Sequence, residues 1–168
     1  ATANAAIAGF PEAFHRHWLA GMRAKLGLAN QEEGDAALAG DLLDLMHRHD
    51  ADYTNTFRDL AFDALPQDSP LRNGYFAPWM ERWLARRQRQ PDPAETSRRL
   101  MQAHNPGVIP RNHRVEEALA AAVEGADFSV MERLIDVLRD PYRDPPREGG
   151  FHLPAPPSDT PYRTFCGT

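Results

Sequence analysis

The strongest nucleophiles are scarce in this 168-residue sequence, which has one cysteine and one lysine. The only cysteine, Cys166, stands near the end, in "PYRTFCGT". One thiol cannot staple a fold, so its chemistry is that of a reactive thiolate or of half a disulfide whose partner lies elsewhere. The only lysine, Lys25, stands in "MRAKLGL". Phosphate-cradling loops and Schiff-base enzymes need a lysine in a particular setting, and no glycine-rich loop precedes this one. Its place suits a last helical turn, where a cation meets the negative end of the helix dipole. Gly27 then reads as the residue just past the helix, with Met22 and Leu28 as the apolar contact of a Schellman ending.

Seven histidines invite a metal. His15 and His17, and His47 and His49, are pairs two apart on helical patterns, whereas ligands for one ion sit three or four apart on a helix. With one cysteine and no H-E-x-x-H, no zinc site is expected. "FRDLAFDA" matches part of the kinase catalytic loop H-R-D-L-x-x-x-N, with Asp59 in the base position. Phe57 replaces the histidine, Ala64 replaces the metal-binding asparagine, and no D-F-G follows at the right distance. A plain helix carrying Arg58 and Asp59 is expected instead. Arg82, Arg86, Arg87 and Arg89 beside Trp79 and Trp83 have the composition of a nucleic-acid patch. Glu81, Asp92 and Glu95 interrupt it, and the net charge of −5 opposes it, so a solvated helix face is expected. No G-x-S-x-G is present for a nucleophilic serine. Catalytic, cofactor-binding and metal-ligating residues are therefore all read as none.

The elements that position these residues read as helices. Phe14, Trp18 and Met22 share one face; so do Leu38, Leu42, Leu45 and Met46. "DYTNTFRDLAFDAL" is a shorter helix with Asp52 or Thr54 as its cap. Trp79, Trp83 and Leu84 face one side of the next, with arginines opposite. Asp92 as N-cap, Pro93 at the first helical position and Glu95 two later open another. "NPGVIPRNH" is a stiff turn, with Val108 and Ile109 tucked inward, Asn112 capping the following helix, and Arg111 and His113 as possible contacts for a ligand. Val115, Leu119, Ala122 and Val123 form a stripe that stops at Gly125. Ser129 and Glu132 form a capping box before Met131, Leu134, Ile135 and Leu138. No alternating β-branched run predicts a strand.

The chain is thus expected to be all-α, with six to seven helices over residues 1–140 and a proline-rich extended strap over 141–168. Seven of the fifteen prolines fall in that strap. Its aromatic residues Tyr142, Phe151, Tyr162 and Phe165 are anchors that a freely solvated tail does not need. Length and 42% hydrophobic content fit one globular domain. The acidic balance disfavours nucleic acid and anionic membranes as partners, and the cysteine count points to the cytoplasm. "ATANAAIAGF" reads like the middle of a longer protein.

"MRAKLGL", "DYTNTFRDL", "NPGVIPRNHRVEEAL", "LRDPY" and "TFCGT", taken in order, resemble the C-terminal third of the selenoprotein O family, pseudokinase-like protein adenylyltransferases. The most specific parts are residues 105–119 and the "YRTFCGT" end. The resemblance implies the helical C-terminal part of a protein-kinase-like fold. It implies a parent that binds ATP with Mg or Mn and transfers AMP to Ser, Thr or Tyr of target proteins, in the bacterial cytoplasm or, for eukaryotic relatives, the mitochondrion. The ATP- and metal-binding motifs lie upstream in the family, and none maps onto a residue here. The partners implied are the upstream catalytic domain of the same polypeptide and the parent's protein substrates. The family also carries a redox-active residue near its C-terminus, selenocysteine or cysteine, and Cys166 occupies that place. Thr164 stands where a fuller C-x-C ending has its first cysteine, so any disulfide reaches further away. Two other readings remain: a stand-alone helical interaction module and a free-standing enzyme whose site is hidden.

Overall fold

The computed structural model describes residues 3–62, 65–143 and 149–157, with side chains from residue 7 onward. Seven α-helices follow one another: α1 (Ala3–Lys25), α2 (Asp35–Arg48), α3 (Tyr53–Asp59), α4 (Ala77–Gln88), α5 (Ala94–His104), α6 (Asn112–Gly125) and α7 (Ser129–Leu138). Two 3₁₀ turns, Pro70–Arg72 and Gly74–Phe76, lead into α4, and no strand occurs among the described residues. The expected all-α class with six to seven helices is what the chain adopts.

The core lies between the second half of α1 and helices α2 to α5. Leu26, Leu42, Phe57, Phe76, Trp79 and Met101 are fully buried there. Trp79 and Trp83 stack with ring centres 5.9 Å apart. Each ring buries its apolar body while its N–H finds a carbonyl: Trp79 Nε1 donates to Leu38 O at 2.8 Å and Trp83 Nε1 to Leu26 O at 2.9 Å. The Schellman ending of α1 forms as the sequence predicts. Leu28 N donates to Arg23 O at 2.8 Å, Gly27 N donates to Ala24 O at 3.1 Å, and Gly27 has φ +71°.

Helices α6 and α7 form a hairpin packed chiefly on itself, around Ala118 and Leu134, and neither contributes to the main core. The stripes read from sequence are correspondingly bare. Leu119, Val123 and Ile135 are exposed, as are Phe14 on α1 and Leu84 on α4. Periodicity marks an apolar face but not whether a neighbour covers it.

Several caps shift by a residue. Pro93, not Asp92, is the N-cap of α5, and Asn112 begins α6 instead of capping it. Phe128, not Ser129, is the N-cap of α7 and makes no side-chain cap bond; Asp127, just before it, accepts the Ser129 N–H on its Oδ1 at 2.9 Å, and bonds from the Ser129 side chain and backbone lower its pKa. The left-handed stop of α6 falls on Ala126 (φ +50°), with Gly125 still inside the helix. An L-residue with a Cβ pays about 1–2 kcal/mol for that conformation. Ala126→Gly is therefore expected to stabilise the chain by about 1 kcal/mol, read as a raised urea midpoint with unchanged m.

Beyond α7 the chain returns to the body. Asn55 Nδ2 donates to His152 O at 3.1 Å, and Arg114 lies over the Phe151 ring at 5.8 Å. Tyr162, Phe165 and Cys166 lie outside the described residues.

Candidate functional site

The "NPGVIPRNH" loop is the most connected irregular segment of the chain, and it starts on Asn105. This side chain is fully buried at the end of α5. Its Nδ2 donates to Lys25 O at 2.8 Å, and its own carbonyl accepts from Arg58 Nη1 at 3.1 Å. Lys25 answers from the end of α1, its Nζ donating to His104 O at 3.0 Å and Asn105 Oδ1 at 3.4 Å. The two helix C-termini thus meet end to end, and a cation and an amide satisfy carbonyls that each helix leaves without an internal donor. The ammonium also lies 5.5 Å from the Tyr53 ring centre and 5.3 Å from that of Phe57. Burial in this setting lowers the Lys25 pKa. The expected helix-terminal role of Lys25 holds, with a longer reach: it serves α5 as well as its own helix.

The loop continues inward at Val108, which is buried, while Gly107 N donates to Pro141 O at 2.7 Å and ties it to the end of α7. Ile109 is half-buried. Arg111 then forks onto Asp52, with Nη1 to Oδ2 and Nη2 to Oδ1 both at 2.8 Å. The same carboxylate caps α3 by accepting Asn55 N at 2.8 Å. Burial pushes the Asp52 carboxyl up, but the Arg111 pair and the Asn55 N–H outweigh it and leave the pKa below the ordinary carboxylate value. Arg111 is thus committed to the fold. Beside it an open cleft is lined by Ile109, Pro110, Asn112, His113 and Ala155.

The α4 arginines are spent in the same way, which decides against a free basic patch. Arg86 is buried; its Nε donates to Asp35 Oδ1 at 2.7 Å and its Nη2 to Asn30 O at 3.0 Å. Asp35, also buried, accepts from Arg23 Nε at 2.6 Å and Glu32 N at 3.0 Å. Arg89 pairs with Glu32, Arg82 with Asp41, and Arg87 donates to Ser97 while lying 4.7 Å from the Trp83 ring. Asp35 is the residue that sequence reading missed. The available signal was the surplus of arginine over lysine, since guanidinium forks require carboxylates to receive them.

Both aspartates make stability depend on acid. Burial raises the Asp35 pKa, but the bonds from Arg86, Glu32 N and Arg23 outweigh it, so the net shift is downward, as for Asp52. Carboxyls with lowered folded pKa values contribute stability that is present above their unfolded value, about 3.9, and is lost as pH falls through the folded values. The urea midpoint is expected to hold between about pH 5 and 7 and to drop below about pH 4, less steeply in Asp52→Asn than in the wild type.

The remaining candidates do not converge. His15 stacks on Trp18 at 5.9 Å and His49 on Tyr75 at 4.1 Å. Among the described residues no group of three or more His, Cys, Asp or Glu side chains could hold a metal. Arg58 and Asp59 are buried at the end of α3, as structural residues. No helix among the described residues is long and apolar enough to cross a membrane.

The geometry is that of a braced helical body, and comparison with known proteins says which. The family model described as "Protein adenylyltransferase SelO" matches residues 1–139. The protein nucleotidyltransferase YdiU of Syntrophotalea carbinolica is 54% identical over 99% of this chain and 34% of its own length. Those of Geobacillus kaustophilus (51% identical, 100% of this chain, 35% of the relative) and Halalkalibacterium halodurans (52%, 99% and 34%) are similar. The chain spans about a third of the length of these curated relatives. It belongs to the protein adenylyltransferase SelO family.

Proposed function

We propose that this chain is the C-terminal helical portion of a longer protein adenylyltransferase. In this reading it buttresses an upstream catalytic core with a protein-kinase-like fold. That core binds ATP with Mg or Mn and transfers AMP to Ser, Thr or Tyr hydroxyls of protein targets in the cytoplasm. The observation that carries the reading is the family match over residues 1–139, joined to the fact that the matched relatives are about three times as long. It is supported by the commitment of Lys25 to α5 and of the α4 arginines to carboxylates and Ser97, which leaves these cations engaged within the fold. The site residue proposed here is Cys166, as a regulatory thiol rather than a catalytic one. Oxidation with an upstream cysteine would join the tail to the catalytic part, each thiol giving up its proton and the pair two electrons to a disulfide oxidant such as glutathione disulfide.

The full-length protein is expected to transfer AMP from ATP to protein with Mg²⁺ or Mn²⁺, while the 168-residue chain alone neither transfers AMP nor binds ATP at micromolar concentration. After mild oxidation, non-reducing peptide mapping is expected to find Cys166 joined to an upstream cysteine. Cys166→Ser should make activity indifferent to dithiothreitol. Micromolar ATP binding by the short chain would favour an enzyme complete in itself. A second reading, a stand-alone interaction module, draws on the bare faces of α6 and α7; a native gene product of this short length would favour it.

A further inference from the structure

We propose that the apolar stripe on the first half of α1, formed by Ile7, Phe10 and Phe14, is the seat on which the preceding part of the same polypeptide packs. This rests on the reading of the chain as the C-terminal part of a longer protein. The three side chains are 71%, 65% and 58% exposed, and the Phe10 and Phe14 rings stack 6.0 Å apart. Their spacing continues without a break into Trp18, Met22 and Leu26, which enter the core. One helix face is therefore covered along its second half and bare along its first, while Glu12 and Arg16 lie on the opposite side.

The bare half has little support from the rest of the described fold. From residue 7 to 17 every side chain except Ala13 is exposed, and Pro11 removes an intrahelical donor. A free helix of this length is marginal in water even with good helix formers. A covering segment would protect it, and the choice of occupant follows from size and connection. Two phenylalanines and an isoleucine at these exposures offer roughly 400 Å², short of the roughly 800 Å² per partner of a standard interface between separate molecules. A segment of the same polypeptide needs no such area, because the covalent linkage supplies an effective concentration on the order of millimolar. About two thirds of each relative's length lies outside the matched region, ample to provide that segment.

Hydrogen exchange tests the assignment. Amides 7–17 are compared in the 168-residue chain, in the full-length polypeptide, and in the full-length Phe10→Asp/Phe14→Asp and Phe10→Asp variants. The expected result is fast exchange in the short chain and exchange slower by about a hundredfold in the full-length protein. Both variants should return these amides to fast exchange while amides 22–28 stay protected, which shows that the core remains folded. Equal exchange of amides 7–17 in the short and full-length wild types would overturn the proposal. So would protection in the short chain that grows with protein concentration, because a second copy would then be the occupant. The readout is independent of enzymatic activity: absence of AMP transfer by the full-length wild type would defeat the functional reading and leave this one standing.

Discussion

Replacing Gly27 with alanine is expected to cost about 3 kcal/mol or more, a large part of the roughly 5–15 kcal/mol that holds an ordinary domain folded. Two effects add. The residue sits at φ +71°, where a Cβ costs about 1–2 kcal/mol. The added atom would also lie 2.5 Å from Ser97 Oγ, 2.8 Å from Ser97 O and 2.9 Å from Met101 Cγ. The second of these belongs to the α5 backbone, so relief requires the helix to shift, and overpacking of this kind costs about 1–3 kcal/mol. That shift would strain the bonds that converge there, in which Ser97 Oγ and Gln90 Nε2 both donate to Gly27 O, at 2.6 and 2.9 Å. Gly34→Ala supplies the comparison. Gly34 has φ +97° but nothing within 4 Å of a built Cβ, so that variant should show the conformational cost alone. Urea unfolding of both variants by circular dichroism measures the difference. Equal losses would mean that α5 yields without cost.

Asp35→Ala is expected to be the most damaging substitution, at about 3–5 kcal/mol. The carboxylate is 2% exposed and receives Arg86, itself 3% exposed, together with Arg23 and Glu32 N. Alanine takes away the most deeply buried carboxylate that faces Arg86, whose guanidinium cannot shed its proton and keeps only Glu32 Oε1 at 3.0 Å and Asn30. Asp35→Asn keeps the shape and removes the charge, so it should recover only part of the loss. The double variant Asp35→Ala/Arg86→Met should be more stable than Asp35→Ala alone, since it removes a buried cation that has lost its main partner. Thermal melts of the four proteins decide it; a double variant no better than the single would mean that Arg86 is not the source of the damage.

Local signals were the legible part of this fold. Asp52 as the cap of α3, Gly27 as the stop of α1 and the burial of Trp79 and Trp83 all follow from chemistry within a few residues of each site. What spacing could not convey was the partner across the fold. Leu119 and Val123 look like core residues on a wheel, yet α6 meets only α7 closely. Arg86 and Arg111 look like surface cations until Asp35 and Asp52 are brought to them from 51 and 59 residues away. The stop at Ala126 went unread because Gly125 offered a better residue one place earlier, and the helix did not take it. The candidate site was legible only as far as its motif: the loop residues stood out, but their role as braces required seeing Lys25 and Asp52 opposite them.

The coupling of Lys25 to Asn105 carries a practical consequence. Lys25 is the only lysine in these 168 residues, so this stretch bears a single side-chain amine. That amine is held between two helix ends and two aromatic rings. An acylating reagent competes with these bonds for the amine, so its attachment to Lys25 is expected to quicken when α1 and α5 part. Within this chain, one atom thus reports on the joint between two helix ends.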